Sequence, residues 1–352
     1  MSFQKIQINQ FRAIDSLEID NIKQVNVITG RNNCGKSSIL EAIFLLTGMS
    51  NPGLLIQIHL FRSMRLEKDN DFSFLFRHFD FSVCPSISGT VINQERNLII
   101  KPIFSNSNIK ASLTAGQEAS SGEVISNAIN HIEGIKGVSL ECNIDEQSFQ
   151  SEIRIKEDKV KLIPNYSEEI VSRFFNSNET GIDIEHTLDA ILVRKDLGLI
   201  INALQEIEPK IIDMRMGAKG VVYVDIGIDK LVPINLMGDG IRKMLGILAA
   251  IVEIKDSILL IDEIENGLHY RSLSTLWKAV LKAAKENNVQ LFITTHSYEC
   301  ISALAQVYQE QNFDKEMISL FRIDKNKKGQ HRAFQYDADT LVAGIEDGFE
   351  VR

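Results

Sequence analysis

Apolar and polar residues alternate at the start of the chain, and this alternation predicts two β-strands. The segments 3–10 and 15–20 both show the pattern. Val25, Val27 and Ile28 then form a short β-branched run, which is typical of a buried strand. We therefore expect a small antiparallel sheet, made by the first two strands, that leads into a buried third strand.

A helical period follows the third strand and ends at a glycine. Within residues 38–46 the apolar side chains of Ile39, Leu40 and Ile43 recur with the spacing of a helix. Gly48 is a typical stop for such a helix. The sequence around residue 30 therefore predicts a strand, a glycine-rich loop and a helix in succession.

The rest of the chain predicts an α/β protein with two further lobes. After Gly48 we expect, in order, irregular chain at 50–85, antiparallel strands at 87–104 and 138–163 with a polar loop at 105–123 between them, helices over 168–208, and a hairpin at 221–235. In the C-terminal part, the apolar pattern predicts helices at 241–252 and 271–287 and buried strands at 258–261 and 289–294. A helix capped by Ser297 and a hairpin at 318–324 and 331–337 follow. Trp277 lies on an apolar helix face, so we expect it in the core.

Composition places the chain among soluble globular proteins. Of its 352 residues, 44% are hydrophobic and 24% charged, and the net charge of −9 argues against a bulk attraction to nucleic acid. The four cysteines are far apart and lack the spacing of a zinc site, so we expect free thiols in a reducing cytosol. The sequence shows no signal peptide and no apolar run near the ~20 residues of a membrane span. We therefore expect a cytoplasmic protein that is neither secreted nor embedded in a membrane.

The glycine-rich loop has the G-x-x-x-x-G-K-[ST] spacing of a phosphate loop, in the strand–loop–helix context that this motif needs. Glycines allow the backbone to approach a phosphate chain, and amides at the helix start attract anions. We expect Lys36 to reach the β- and γ-phosphates and the Ser37 hydroxyl to bind Mg²⁺. The residues expected to contact the nucleotide are Gly30, Arg31, Asn32, Asn33, Cys34, Gly35, Lys36, Ser37 and Ser38.

Two later strands end in residues with matching chemistry. Asp262 and Glu263 follow the buried strand at 258–261, at the edge where open α/β sheets bind ligands. Asp262 fits an acid that holds Mg²⁺ through water, and Glu263 fits the base that orients the attacking water. His296 follows the strand at 289–294, where an imidazole would reach the γ-phosphate.

Other polar residues admit two interpretations. Six phenylalanines between residues 61 and 81 are interleaved with basic residues, which indicates either core packing, the interpretation we favour, or a nucleic-acid surface. Arg12 could touch a nucleotide, although an exposed turn arginine is the simpler expectation. The basic turn near Lys327 is most simply a solvated hairpin tip.

Taken together, these motifs resemble the ABC-type ATPase heads of SMC, RecF and overcoming-lysogenization-defect (OLD) proteins. FRAI, GRNNCGKSS, LIDEIENGLH and TTHS are similar to the family's motifs and stand in family order along almost the whole chain. The resemblance implies a P-loop NTPase fold of ABC-ATPase-head type, with a mixed core sheet, an antiparallel β lobe and a helical lobe. A single domain would comprise a nucleotide-binding core at 1–50 and 235–352, a β lobe with an insertion at 51–165, and a helical lobe at 166–234.

The resemblance also implies a mechanism in which two heads sandwich two molecules of ATP with Mg²⁺. Each site would pair one phosphate loop with the signature residues Gly238, Asp239 and Gly240 of a second copy. The signature LMGDG lacks the serine of the usual S-G-G-Q type. Gln57 and Gln94 are both candidates for the Q-loop glutamine.

The chain has neither the heptads of an SMC coiled coil nor room after His296 for the TOPRIM domain of OLD nucleases. We therefore expect a stand-alone ATPase subunit, a homodimer or larger, that works beside a separate nuclease or toxin in bacterial anti-phage defence. Two alternatives are a RecF-like ATPase that binds DNA, and a nucleotide sensor or scaffold with little turnover. A transporter nucleotide-binding subunit is a weaker alternative, because of FRAI and the unusual signature.

Overall fold

A computed structural model describes residues 2–91, 94–104, 135–155, 159–162, 166, 168–176, 182–194, 196–217, 221–311 and 313–348. The loop expected at 105–123 lies outside these residues. Of the helices in the described ranges, none is both long and apolar enough to cross a membrane.

The central element is a six-stranded sheet of order β16-β15-β3-β14-β13-β9. All its strands run parallel except β16, which pairs antiparallel to β15. The strands are β3 (Val25–Thr29), β9 (Ser172–Phe175), β13 (Ile258–Ile261), β14 (Gln290–Thr294), β15 (Ile318–Lys325) and β16 (His331–Asp337). The carboxyl ends of the parallel strands therefore meet at one edge, which is where such sheets bind ligands.

An antiparallel sheet of order β2-β1-β4-β5-β6-β7-β8 forms a second layer. Its strands are β1 (Phe3–Asn9), β2 (Ser16–Ile19), β4 (Ser86–Val91), β5 (Gln94–Phe104), β6 (Ile135–Ile144), β7 (Gln147–Arg154) and β8 (Lys159–Lys161). A small third sheet has the order β10-β11-β12, made of β10 (Asp213–Met216), β11 (Val222–Asp225) and β12 (Val232–Pro233).

Eight α-helices lie in the described ranges. They are α1 (Lys36–Thr47), α2 (Leu54–Leu60), α3 (Ile182–Arg194), α4 (Gly198–Ile207), α5 (Asp239–Glu253), α6 (Leu273–Asn287), α7 (Tyr298–Gln311) and α8 (Ala338–Glu346). Short 3₁₀ turns occur at Asp69–Leu75, Arg77–Phe79, Ile234–Leu236 and Tyr270–Ser272.

Both faces of the central sheet are covered, which explains why its strands are apolar throughout. Leu259 and Ile261 of β13 pack into a core shared with α3 to α7. Ile258 and Leu260, on the opposite face, pack with α1 and the antiparallel sheet. Helix α1 contacts strands of both sheets and is buried along nearly its whole length, so the helix that follows the phosphate loop is held rigidly.

The structure differs from the sequence expectations at several elements. β1 and β2 pair with each other as expected but extend the seven-stranded sheet, so the start of the chain belongs with the β lobe rather than with the core at 1–50. β9 lies inside the expected helical lobe at 166–234 yet pairs with β13 in the central sheet. The stretch 50–85, expected to be irregular, contains α2 and two 3₁₀ turns. Strand β10 and helix α8 were not expected at all.

Candidate functional site

The phosphate loop, Asp262, Glu263 and His296 lie at the carboxyl edge of the central sheet. The phosphate loop follows β3, Asp262 follows β13, and His296 comes two residues after β14. These three strands are adjacent, in the order β3-β14-β13. Motifs that are far apart in the sequence are therefore close together in the fold.

The phosphate loop depends on glycine at two positions. Gly30 has φ 144°, and a Cβ atom there would clash with the carbonyl oxygen of Ile323 in β15. Gly35 has φ 94° and precedes α1, where a Cβ atom would lie 3.3 Å from the side chain of Ile14. Both values are unfavourable for residues with a side chain. The loop therefore reaches this conformation only with its glycines in place.

Side chains of the loop divide into exposed and buried groups. Arg31, Asn32 and Asn33 are exposed, whereas Cys34 is buried, and burial raises the pKa of its thiol. Lys36 donates from Nζ to the carbonyl oxygens of Gly30, at 2.8 Å, and of Arg31, at 3.2 Å. The lysine ammonium thus lies over the loop that would hold the phosphates.

The Ser37 hydroxyl joins the loop to the second motif. Its Oγ lies 3.3 Å from Oδ1 of Asp262, across 225 positions of sequence. Thr294 Oγ1 donates to the same Asp262 oxygen at 2.5 Å and accepts from the backbone amide of Glu263 at 2.8 Å. Glu263 itself has φ 51°, a strained value that is often found at functional sites. One buried threonine therefore fixes the positions of both acids.

A second acid orients the histidine. Glu265 Oε1 lies 3.0 Å from His296 Nδ1 and accepts from the His296 backbone amide at 2.8 Å and from the Ser297 amide at 3.2 Å. The Glu265 side chain is nearly buried, whereas about half of the His296 side chain is exposed. Because Nδ1 faces Glu265, the Nε2 atom is the one available to a ligand.

Arg12 is not the exposed turn arginine that the sequence suggested. Its Nε lies 2.7 Å from Oε2 of Glu41, and its side chain is only 9% exposed. Arg62 donates from Nε to Oε1 of Glu41 at 2.6 Å and from Nη2 to the Ser38 hydroxyl at 3.2 Å. Burial lowers the pKa of Arg12 to about 10, and burial raises the pKa of Glu41 while the two guanidinium groups oppose that rise. Through Arg62, this cluster of charged side chains fixes the position of the Ser38 hydroxyl.

The signature residues lie at the start of α5, directly after the 3₁₀ turn Ile234–Leu236. Gly238 and Asp239 are exposed at the start of α5, and Asp239 accepts from Arg242 at 3.1 Å. A Cβ atom on Gly240 would lie 3.6 Å from Leu268, in the segment after Glu263. Gln57 lies in α2 and Gln94 at the start of β5.

Sequence reasoning missed Thr294, Glu265, Glu41 and Arg62. Thr294 and Glu265 lie within the quoted motifs, and a polar residue ending a fully buried strand is a signal that could have identified Thr294. The pairing of Glu41 with two arginines has no such signal, because it depends on the path of the chain between residues 12 and 62.

Ser37 and Asp262 together fit a magnesium ion. Hydroxyl and carboxylate oxygens are the donors that Mg²⁺ prefers, and it is commonly held by one or two protein groups together with substrate phosphates. The 3.3 Å separation of their oxygens places both donors at one point. Within the described ranges, no three His, Cys, Asp or Glu side chains gather as a metal site of their own.

Comparisons with known proteins agree with this geometry. A family model described as "AAA domain, putative AbiEii toxin, Type IV TA system" matches residues 25–302. The chain is 26% identical over 349 residues to an ATP/GTP phosphatase of Helicobacter pylori, covering 88% of this chain and 89% of that protein. A stretch of 44 residues, 12% of each chain, is 46% identical to the DNA replication and repair protein RecF of Clostridium acetobutylicum.

A solved structure extends the likeness to the whole fold. An SMC head bound to the C-winged helix domain of ScpA superposes with a TM-score of 0.51 at 13% identity, covering 96% of this chain and 98% of that one. At this identity the likeness concerns the fold alone.

Proposed function

We propose, from the premise that this chain belongs to the AAA-domain family matched above, that it is an ATP hydrolase whose dimerisation is gated by ATP and which regulates a separate effector. The chain is an SMC/RecF-like ABC-type ATPase. The finer points, namely magnesium dependence, residue roles, the dimer and the effector, are our proposal. The observation that carries it is the contact between Ser37 Oγ and Asp262 Oδ1.

The residues at the sheet edge support distinct roles. The Lys36 ammonium donates to loop carbonyls in this structure, and it would contact the β- and γ-phosphates of a bound nucleotide instead. Ser37 and Asp262 would hold Mg²⁺, which neutralises phosphate charge when bound. Glu263 would accept a proton from the attacking water, with its backbone held by Thr294. His296 would donate from Nε2 toward the γ-phosphate while Glu265 holds its ring.

Phosphate release from ATP by the purified chain tests this proposal. Lys36→Ala should lose ATP binding, because it removes the charge that faces the phosphates. Glu263→Gln should bind ATP and release phosphate at least a hundredfold more slowly. Glu286→Gln is a matched control, since Glu286 is exposed at the far end of α6. Hydrolysis by Glu263→Gln at the parent's rate would contradict the role of Glu263.

The dimer is supported by the exposed signature. Gly238 and Asp239 are exposed at the start of α5, so the backbone amides there are accessible to a nucleotide held by a second copy. We expect Glu263→Gln to form a dimer with ATP and remain a monomer without it, measured by light scattering. A monomer under both conditions would refute ATP gating.

An effector partner, a nuclease or toxin of a bacterial defence system, is supported by the description of the matched family model, which names a type IV toxin–antitoxin system. Co-purification from the native host tests it. A nucleotide sensor with little turnover is a second candidate. Asp239 favours it, because its carboxylate stands between the two signature glycines, where a γ-phosphate would be repelled. Tight ATP binding with no phosphate release by the parent chain would support the sensor.

A further inference from the structure

We propose that the tip of the β15–β16 hairpin, together with the turn Arg77–Phe79, forms a docking surface for single-stranded nucleic acid beside the phosphate loop. This surface does not depend on the proposed effector. Its proposed influence on hydrolysis, by contrast, rests on the proposed function.

The hairpin tip is basic in an acidic protein. Lys325, Lys327, Lys328 and Arg332 are exposed, and in the part of the chain that the structure describes none of the four forms a salt bridge. The nearest acid along the hairpin is the exposed Asp324. With a net charge of −9 over the whole chain, this concentration of cations is a local exception.

The tip is held in one conformation. Asn326 Oδ1 accepts from the backbone amides of Lys328, at 2.9 Å, and of Gln330, at 3.0 Å. The Asn326 amide donates to the Gln330 carbonyl at 3.0 Å, and Gly329 turns the chain with φ 81°. The two lysines between these residues are therefore presented from a rigid turn, which limits the entropy lost when they bind phosphates.

An exposed aromatic ring lies two residues along the chain from the arginine that reaches this tip. A Cβ atom on Gly329 would lie 3.6 Å from Nη2 of Arg77, which pairs with Asp15. Two residues later, Phe79 is 61% exposed and packs edge-on against Phe74 at 5.8 Å. Consecutive Cα atoms are ~3.8 Å apart, so Phe79 lies within about 8 Å of Arg77 along the backbone.

The backbone at Phe79 is strained. His78 and Phe79 have φ of 55° and 60°, a region that is unfavourable for bulky residues. A strained backbone that also exposes a large apolar ring is unexpected from packing alone, and such strain is often found at functional sites. Asp80 adjoins the ring, so the charge here is mixed and the aromatic contribution matters more than at the hairpin.

Exposed rings beside fixed cations favour a single strand over other polyanions. Bases of a single strand can stack on phenylalanine while lysines contact the backbone. A duplex keeps its bases stacked internally, and an acidic peptide would use the lysines without needing Phe79. The combination therefore indicates single-stranded DNA or RNA.

The hairpin that carries this surface contacts the phosphate loop. β15 is the neighbour of β3, and its last residues extend past the end of β3 at the nucleotide edge. Its Ile323 carbonyl abuts Gly30, and His331, which pairs with Lys325, has its Nε2 3.8 Å from the Cβ position of Gly35. His331 is 6% exposed and neither ring nitrogen has a partner among the described residues. A nucleic acid bound at the tip would therefore displace residues that touch both loop glycines. We expect this displacement to change the rate of ATP hydrolysis.

The binding test uses the full chain without nucleotide and a fluorescein-labelled oligothymidylate, followed by anisotropy. Lys327→Glu combined with Lys328→Glu should lower the affinity at least tenfold. It should also lessen the slope of log affinity against log salt by about 0.7 for each phosphate that the lysines no longer neutralise. The matched control is Lys282→Glu with Lys285→Glu, an equal charge change on exposed positions of α6 near the amino edge of the sheet. The control should bind as the parent does.

A second variant tests the aromatic ring. Phe79→Gly removes the ring and suits the left-handed backbone, so folding should be preserved. We expect a loss of about 5- to 100-fold in affinity for oligothymidylate, the range found for single stacking residues. Ile228→Gly, at an equally exposed apolar position, is the control and should bind normally.

Three results would overturn the proposal. They are no binding of oligothymidylate by the parent chain, equal loss of affinity in the hairpin and control variants, or tighter binding of duplex DNA or polyglutamate than of oligothymidylate. Because binding is measured without ATP, such a failure leaves the proposed hydrolysis standing. Conversely, binding without any change in phosphate release would retain the surface and remove its coupling to the phosphate loop.

Discussion

Replacing Glu41 by glutamine tests the ion cluster beneath the phosphate loop. The Glu41 side chain is 2% exposed and lies 2.7 Å from Nε of Arg12 and 2.6 Å from Nε of Arg62. Arg12 is 9% exposed, so loss of the carboxylate charge leaves a nearly buried guanidinium without a counter-ion. Arg62 is 38% exposed and can turn to water, so it adds little.

Removing one partner of a buried ion pair costs about 3–5 kcal/mol. The glutamine amide oxygen can still accept one hydrogen bond, so we expect a loss near ~3 kcal/mol in the free energy of unfolding. That is a large share of the about 5–15 kcal/mol by which domains are usually stable. Urea unfolding at neutral pH, followed by circular dichroism, measures it.

The control and the rescue make the result interpretable. Glu286→Gln removes a carboxylate that is 54% exposed and 4.0 Å from Lys282, and should change stability by less than about 0.5 kcal/mol. Combining Glu41→Leu with Arg12→Met replaces the buried pair by apolar groups and should recover most of the loss. A Glu41→Gln protein within about 1 kcal/mol of the parent would refute the reasoning.

Three further perturbations follow from the geometry of single residues. Thr294→Val removes the hydroxyl that holds both acids, so phosphate release should fall about 10- to 100-fold with ATP affinity nearly unchanged; Thr47→Val, which removes a buried hydroxyl at the far end of α1, should lower stability without this rate loss. Gly30→Ala should abolish ATP binding because of the clash and the φ of 144°, whereas Gly198→Ala, with nothing within 4 Å of the added methyl group, should bind normally. Burial lowers the pKa of His59 to about 4, and the unfolded chain protonates it near pH 6.5, so stability should fall as the pH drops through this window. Between pH 7 and 4.5 that loss is about 2.5 kcal/mol, and His59→Leu should lack it in urea titrations. A parent and variant with the same pH slope would contradict the assignment.

Local patterns were sufficient to predict the elements that carry the motifs. The buried runs before Gly30, Asp262 and His296 lie at adjacent positions of the parallel sheet, because strands covered on both faces are apolar throughout. Their shared edge follows from the direction of parallel strands. The contact between Ser37 and Asp262 could therefore be predicted from the sequence.

Elements whose partners are distant in sequence were not predictable in the same way. β9 has only four residues and lies at the start of the stretch expected to be helical, so its pairing with β13 could not be recognised. The pairing of β1 with β4 could not be predicted, because the residues of an alternating strand do not identify its hydrogen-bond partners. Arg12 was expected to be exposed because its counter-ion, Glu41, comes from a different element.

The Mg²⁺ concentration at half-maximal binding of a fluorescent ATP analogue tests most directly whether the motifs share one magnesium triphosphate. We expect Ser37→Ala and Asp262→Asn each to raise this Mg²⁺ concentration about tenfold or more. The double variant should need little more Mg²⁺ than the single variant with the larger effect, because both donors serve the same ion. Independent effects that multiply in the double variant, or no effect of either change, would contradict a common site.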